Sequence, residues 1–302
     1  RNQAFKDIVM KYAYKYLSPM HMKVLEENYC GPESLVRGNA ITGEQKPWII
    51  DEVSDEIVLR EIGTIVHEST HMFCGGDDRF IVSPTEYIDV QKTKVIRTSL
   101  IADDMINRND VVKDNRTFNI YINVDFNRNL GSNIGGIFGL MDEYCAYYNG
   151  VSASWTLYKE FKKEKELARN DSISEWYKER QEDVGLDALG GIDAFYEFNS
   201  FIAAYLIYVQ EYHPNIYNGI MNNTEFLQAY AIVTNNYQPL AEEIQKEFPE
   251  NRVLDTRLII KWEEVISVYN EYVPFFEPAL PFNMSKTIDK GLLKLTSIIS
   301  LS

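Results

Sequence analysis

His67, Glu68 and His71 stand together in the run His67-Glu68-Ser69-Thr70-His71. Imidazoles four positions apart lie one turn apart on one face of a helix, so both can reach a single metal ion. Glu68 follows the first imidazole. From there its carboxylate reaches a water on that ion without binding the ion itself. A divalent ion lowers the pKa of such a water, and a neighbouring carboxylate takes its proton. The chain has only four histidines, so two of them flanking a glutamate at this spacing is a specific signal. The plainer alternatives are two ordinary histidines on an amphipathic helix, or a degenerate site that holds metal without turnover.

A catalytic zinc site takes three protein ligands and leaves one position open. The other histidines are His21 and His213, and the residues after His71 run Met72-Phe73-Cys74-Gly75-Gly76-Asp77 without a third histidine. A carboxylate is therefore expected, and Glu143 is the best placed. In the helix expected around Gly139-Leu140-Met141-Asp142-Glu143-Tyr144-Cys145-Ala146-Tyr147-Tyr148, the residues Gly136, Gly139, Glu143 and Tyr147 share one face. Two glycines there would let a second helix approach closely, and a cation removes the cost of burying the acid. Asp142 is the alternative ligand. A solvated Asp142–Glu143 pair, or Glu143 bonded to a tyrosine, is the reading without metal.

An oxyanion formed during hydrolysis needs a donor. Tyr147, Tyr144, Tyr148 and His213 are candidates, although His213, before Pro214, reads first as a capping or surface histidine. Cys74 and Cys145 each lie close in sequence to a proposed ligand, and a disulfide between them is an expectation resting on that proximity alone. Cys145 is about 200° around the helix from Glu143, which makes it a poor zinc ligand.

These two segments resemble the gluzincin group of zinc metallopeptidases, the thermolysin-like enzymes. There an H-E-x-x-H helix and a glutamate on a later helix complete the site. The resemblance covers 67–71 and the surroundings of 143. It implies His67 and His71 as imidazole ligands, Glu68 as general base, Glu143 as third ligand and Zn2+ as cofactor. Here 72 positions separate His71 from Glu143, longer than is usual in the group, so the stretch 79–127 becomes an insertion between the two metal helices.

The metal helix itself is read over 55–73. Ser54 or Asp55 is its N-cap, Val58, Ile62, Ile65, Val66, Ser69, Met72 and Phe73 form its apolar stripe, and Gly75-Gly76 stops it. Gly63 lies near the ligand face, where bulk would crowd a substrate. Residues 2–29 read as helix broken at Ser18-Pro19, and 30–46 as loop. Trp48-Ile49-Ile50, Arg79–Ser83, Tyr87–Val90, Lys94–Ser99 and Thr117–Phe126 read as strands, the last from the alternation of Phe118, Ile120, Ile122 and Val124. A helix is expected over 134–148, a charged exposed helix or helix pair over 155–183, and a buried central helix over 193–212. Further helices follow over 224–235, 238–248 and 254–272, then a loop around Pro274, Pro278 and Pro281. The expected fold class is α+β. A zincin-like front half, 1–150, carries the H-E-x-x-H helix and an antiparallel sheet, and a mostly helical half, 151–302, packs against it to form the cleft.

Composition narrows the partners. A net charge of −15 and a pI near 4.8 repel phosphate backbones and anionic lipid, so nucleic acid is not an expected partner. No run of 18 apolar residues is present, so no membrane insertion is expected. Three cysteines are too few for a disulfide scaffold. The chain opens with Arg1, which fits a mature chain freed of a targeting segment and equally a trimmed fragment. Localisation stays open, leaning towards a secreted or cell-surface protein. The function expected is a zinc metallopeptidase that cleaves a peptide or protein substrate by Glu68-assisted attack of zinc-bound water. The alternative is a non-catalytic binding or cell-surface module with a vestigial or structural zinc site. A non-peptide amide or ester hydrolase shares the same carbonyl chemistry.

Overall fold

A computed structural model describes residues 2–31, 36–38, 45–47, 53–76, 78–108, 110–123 and 129–248. In chain order the elements are α1 (Asn2–Tyr16), α2 (Pro19–Asn28), β1 (Val36–Gly38), β2 (Gln45–Pro47), α3 (Asp55–Cys74), β3 (Arg79–Ile81) and β4 (Tyr87–Asp89). Next come α4 (Ala102–Arg108), α5 (Arg116–Tyr121), α6 (Gly131–Ile134), α7 (Ile137–Leu167), α8 (Asp171–Gly191), α9 (Asp193–Tyr212), α10 (Pro214–Met221) and α11 (Thr224–Glu247). The contacts divide the chain into two compact units. One comprises Arg1–Ile88 with Asp142–Ile192, the other Asp89–Met141 with Asp193–Ser302.

The fold is mostly helical, which corrects the expected α+β class with a zincin-like sheet. Among the described residues the strands are four three-residue pieces in two two-stranded pairs. The pair β1–β2 is antiparallel, with Val36 opposite Pro47 and Gly38 opposite Gln45, inside a stretch expected to be loop. Expected strands Arg79–Ser83 and Tyr87–Val90 shrink to β3 and β4. The best expected strand, Thr117–Phe126, is instead the helix α5 over its first five residues. Asn115 caps it, its side chain accepting the Phe118 N–H at 2.7 Å, and this local bond outweighs the β propensity of the alternating residues. Lys94–Ser99 is extended at first but enters a 3-10 turn at Thr98. The expected strand at 48–50, the helix at 254–272 and the proline loop lie outside the described residues.

In the first unit, Ser18 accepts the His21 N–H and Pro19 opens α2, so the chain breaks where Ser18-Pro19 predicts. α3 has both its ends specified. Ser54 accepts the Ile57 N–H at 3.3 Å, Asp55 and Glu56 occupy the first turn, and Gly75, at φ +64, donates its N–H to the His71 carbonyl. One side of α3 is buried among Phe5, Val9 and Ala13 of α1, Leu25 of α2 and Ala153 of α7. Each Phe, Val or Leu among them, removed from water, contributes about 1.5–3 kcal/mol. A second cluster joins Met20 and Val24 of α2 to Phe73 and to Ile81 of β3. The Ile81 carbonyl also accepts Asn149 of α7. On α8, Arg180 meets Glu56 of α3 at 3.3 Å, and Arg60 of α3 meets Asp183 at 2.9 Å. The charged stretch 155–183 is therefore a helix pair, the end of α7 and the start of α8, with Asn170 as the second N-cap.

The second unit is built on α9, whose residues from Ala194 to Leu206 are buried without interruption, as the all-round apolar pattern predicts. The Tyr205 hydroxyl accepts the Ile96 N–H at 2.8 Å and donates to the Ile96 carbonyl at 2.9 Å. Asn223 donates to the Gln91 carbonyl, so side chains satisfy backbone groups of the extended segment. α11 runs unbroken through Pro239, where two helices were expected. Among the described residues, no helix is long and apolar enough to cross a membrane.

Candidate metal centre

The two helices that carry the expected ligands, α3 and α7, run in opposite directions along a shared seam in the first unit. Gly63 meets Gly150, His67 meets Tyr147, and His71 meets Glu143. At the first of these contacts a Cβ on Gly150 would stand 2.7 Å from the Gly63 carbonyl oxygen and 3.3 Å from His67 Cβ. The helices approach this closely only because position 150 has no side chain. The glycines singled out from sequence act elsewhere. A side chain on Gly139 would strike the backbone of Ser132, and Gly136, at φ +58, sits under the Ile96 carbonyl and Tyr205. Gly63 likewise faces Asp187 and Ser154 rather than an open cleft.

The seam brings His67, His71 and Glu143 into one cluster. The Nε2 atoms of His67 and His71 are 3.1 Å apart, and Glu143 Oε2 lies 3.7 Å from the first and 3.4 Å from the second. In a tetrahedral zinc site with ligands at roughly 2.0–2.2 Å, neighbouring ligand atoms lie roughly 3.3–3.6 Å apart. The three atoms thus have the spacing of three corners of such a site. Glu143 Oε2 is buried, no well-formed hydrogen bond reaches it, and its charge faces only the two imidazoles, so a cation between them would lower the cost of burying it. The donor set fits zinc.

Asp142 lies outside this cluster and holds His71 from the other side of its ring. Its Oδ2 lies 2.6 Å from His71 Nδ1, so the imidazole donates there and its Nε2 is turned towards the cluster. From sequence, Asp142 stands as an alternative ligand to Glu143 or as half of a solvated pair. The signal for its real position was the acidic pair itself: consecutive helical residues point about 100° apart, so one carboxylate reaches the metal position and the other grips the far side of an imidazole.

Electrostatics follow from this geometry. Burial, then the proximity of His71, holds His67 well below the ordinary histidine range, which keeps it in the neutral form a ligand requires. Burial also works to lower His71, but Glu143 and Asp142 outweigh it and leave His71 well above its ordinary value. Glu68 stands on the less buried side of α3, in line with Thr64 and exposed Met72. Burial lifts its carboxyl above the ordinary range. His71 opposes that shift, while Glu143 and Asp142 add to it.

Of the expected oxyanion donors, Tyr147 lies on the cluster, its ring edge-on to His67 with centroids 4.5 Å apart. Tyr144 and Tyr148 are buried core residues. His213 belongs to the second unit, where its carbonyl accepts the N–H groups of Ile216 and Tyr217 at the start of α10. His21 is buried, and burial pushes its pKa down to about 4, with Asn149 opposing. The disulfide expected between Cys74 and Cys145 is absent: Cys30, Cys74 and Cys145 are all free buried thiols. No protein-family model matches the chain, and neither a curated protein nor a solved structure matches it.

Proposed function

We propose that this chain is a zinc-dependent hydrolase of amide bonds, a peptidase in the chemical manner of the gluzincins, on a helical scaffold. The observation that carries the reading is the buried Glu143 oxygen facing two imidazole nitrogens at the spacing of metal ligands. His67, His71 and Glu143 would hold the ion. When bound, zinc supplies Lewis acidity towards a carbonyl oxygen and lowers the pKa of water. Asp142 keeps His71 in the tautomer that presents Nε2. Glu68 takes the proton of the attacking water and returns it to the leaving amine. Among the described residues no fourth histidine, cysteine or carboxylate joins the cluster. A structural zinc site uses four protein ligands, so this count supports a catalytic reading over a purely structural one.

The test begins with elemental analysis of the wild type beside His67→Ala. About one zinc per chain, lost in the variant, is the expected result. Hydrolysis of a mixed peptide library is then compared between wild type and Glu68→Gln, which should retain zinc and lose turnover by at least about a hundredfold. Zinc binding without hydrolysis of any peptide would remove the peptidase reading and leave the metal site. Full activity in Glu68→Gln would remove the general-base assignment.

A further inference from the structure

Where α7 and α8 pack on the metal helix, one carboxyl has no cation beside it among the described residues. Asp187 of α8 places Oδ2 against Gly63 of α3, so close that a side chain at 63 would overlap it. The same oxygen accepts the Ser154 hydroxyl of α7 at 2.5 Å. Three helices therefore converge on one carboxyl group, and Gly63 is the residue that makes room for it. The charged group facing it from α3 is Glu61, of the same sign. One turn earlier on α8, Asp183 is engaged by Arg60 and Arg180, so the nearby guanidinium groups are already committed. A carboxylate in this position has only the Ser154 hydroxyl and the Gly63 backbone to stabilise its charge, and a neutral carboxyl keeps the hydroxyl contact at far lower cost.

We propose that Asp187 is a proton-operated latch: as the neutral acid it locks α7 and α8 onto α3 at Gly63, and its ionisation loosens that junction. The latch acts on the scaffold and does not rest on the chain being a hydrolase. Burial, with Glu61 adding and Ser154 and the Gly63 backbone opposing, pushes the Asp187 pKa up to about 7. The sign follows from linkage. Between the ordinary aspartate range near 4 and about pH 7, the folded chain keeps a proton that the unfolded chain has released. Stability is therefore lost as pH rises through that window and levels off above it.

The experiment is urea unfolding of the full chain, wild type beside Asp187→Asn, at fixed zinc concentration from pH 4.5 to 8.5. The asparagine keeps the shape of the neutral acid. The wild-type unfolding constant, divided by that of the variant, should rise up to about tenfold per pH unit between roughly pH 5 and 6.5 and flatten above pH 7. Titration of the metal-cluster histidines is common to both chains and cancels in the ratio. A ratio flat across the range overturns the latch. Should Asp187→Asn not fold, infrared spectroscopy of the wild type at pH 5.5 reads the carboxyl directly. A protonated-carboxyl stretch that shifts in Ser154→Ala supports the latch, and the lack of any stretch sensitive to Ser154 overturns it.

Discussion

Replacing Gly150 by alanine separates two opposing effects whose sizes follow from the structure. Alanine is the better helix former by about 1 kcal/mol in a helix interior, so propensity alone makes Gly150→Ala stabilising. The added Cβ, however, would stand 2.7 Å from the Gly63 carbonyl oxygen and 3.3 Å from His67 Cβ. Both neighbours sit on a helix that cannot swing a side chain aside, so α3 and α7 must part by about 0.7 Å to restore ordinary contact. Overpacking of this kind costs about 1–3 kcal/mol, so the net result is a loss of up to about 2 kcal/mol. The greater effect falls on the cluster. A metal site tolerates errors of about 0.2 Å in its ligand distances, and Glu143 is carried on the helix being displaced. Zinc affinity should fall by about tenfold or more, measured by competition with a chromophoric chelator, beside urea unfolding of the metal-free chain. An unchanged zinc affinity together with a stability gain of about 1 kcal/mol would refute the seam at Gly150 as the device that sets ligand spacing.

Other outcomes follow from single contacts. Asp142→Asn should weaken zinc binding by about 10–100-fold without removing a ligand, read in the same competition assay. Ser54→Ala removes the N-cap of α3 and should cost about 0.5–2 kcal/mol in urea unfolding, with zinc still bound at saturating metal. Asp55 is drawn by Tyr12 and Lys11, against the effect of burial, below its ordinary pKa. Its contribution is therefore present above about pH 4 and lost as pH falls below that value. Tyr12→Phe should narrow the acid-side stability difference, and an acid-unfolding midpoint unchanged from wild type would contradict the pairing.

Local punctuation was the most legible part of the chain. Ser18-Pro19 and Ser54 mark helix starts because they satisfy or remove terminal N–H groups, and Gly75 marks a helix end because its N–H satisfies a terminal carbonyl. The apolar run of α9 was legible for a similar reason, since a helix without a polar face has to be buried. The cluster was half legible. His67 and His71 share a helix, and their spacing is itself geometry. Glu143 was found by asking which acid needs a cation. The contact of Asp142 with His71 spans 71 positions, and no local pattern encodes a pairing of that kind. Thr117–Phe126 shows the opposite failure: Asn115 carries an N-cap signal, but the alternation of Phe118, Ile120 and Ile122 drew the eye to period two. Gly150 was also readable in principle, seven positions after Glu143 on the same helix face, yet the nearer Gly139 and Gly136 looked better placed.

The opposed seam of α3 and α7 has a consequence for engineering. Among the described residues, the side chains at the cluster come from two neighbouring helices, within the spans 67–71 and 142–147, and no strand contributes. A site of this kind is a cassette. Grafting His-Glu-x-x-His onto one helix and Asp-Glu-x-x-x-Tyr onto its antiparallel partner, with glycines facing each other one turn beyond the histidines, should transfer the cluster to an unrelated helical bundle. The distance between host helix axes would then be the quantity to match, and hosts with bulky residues at that crossing would reject the graft.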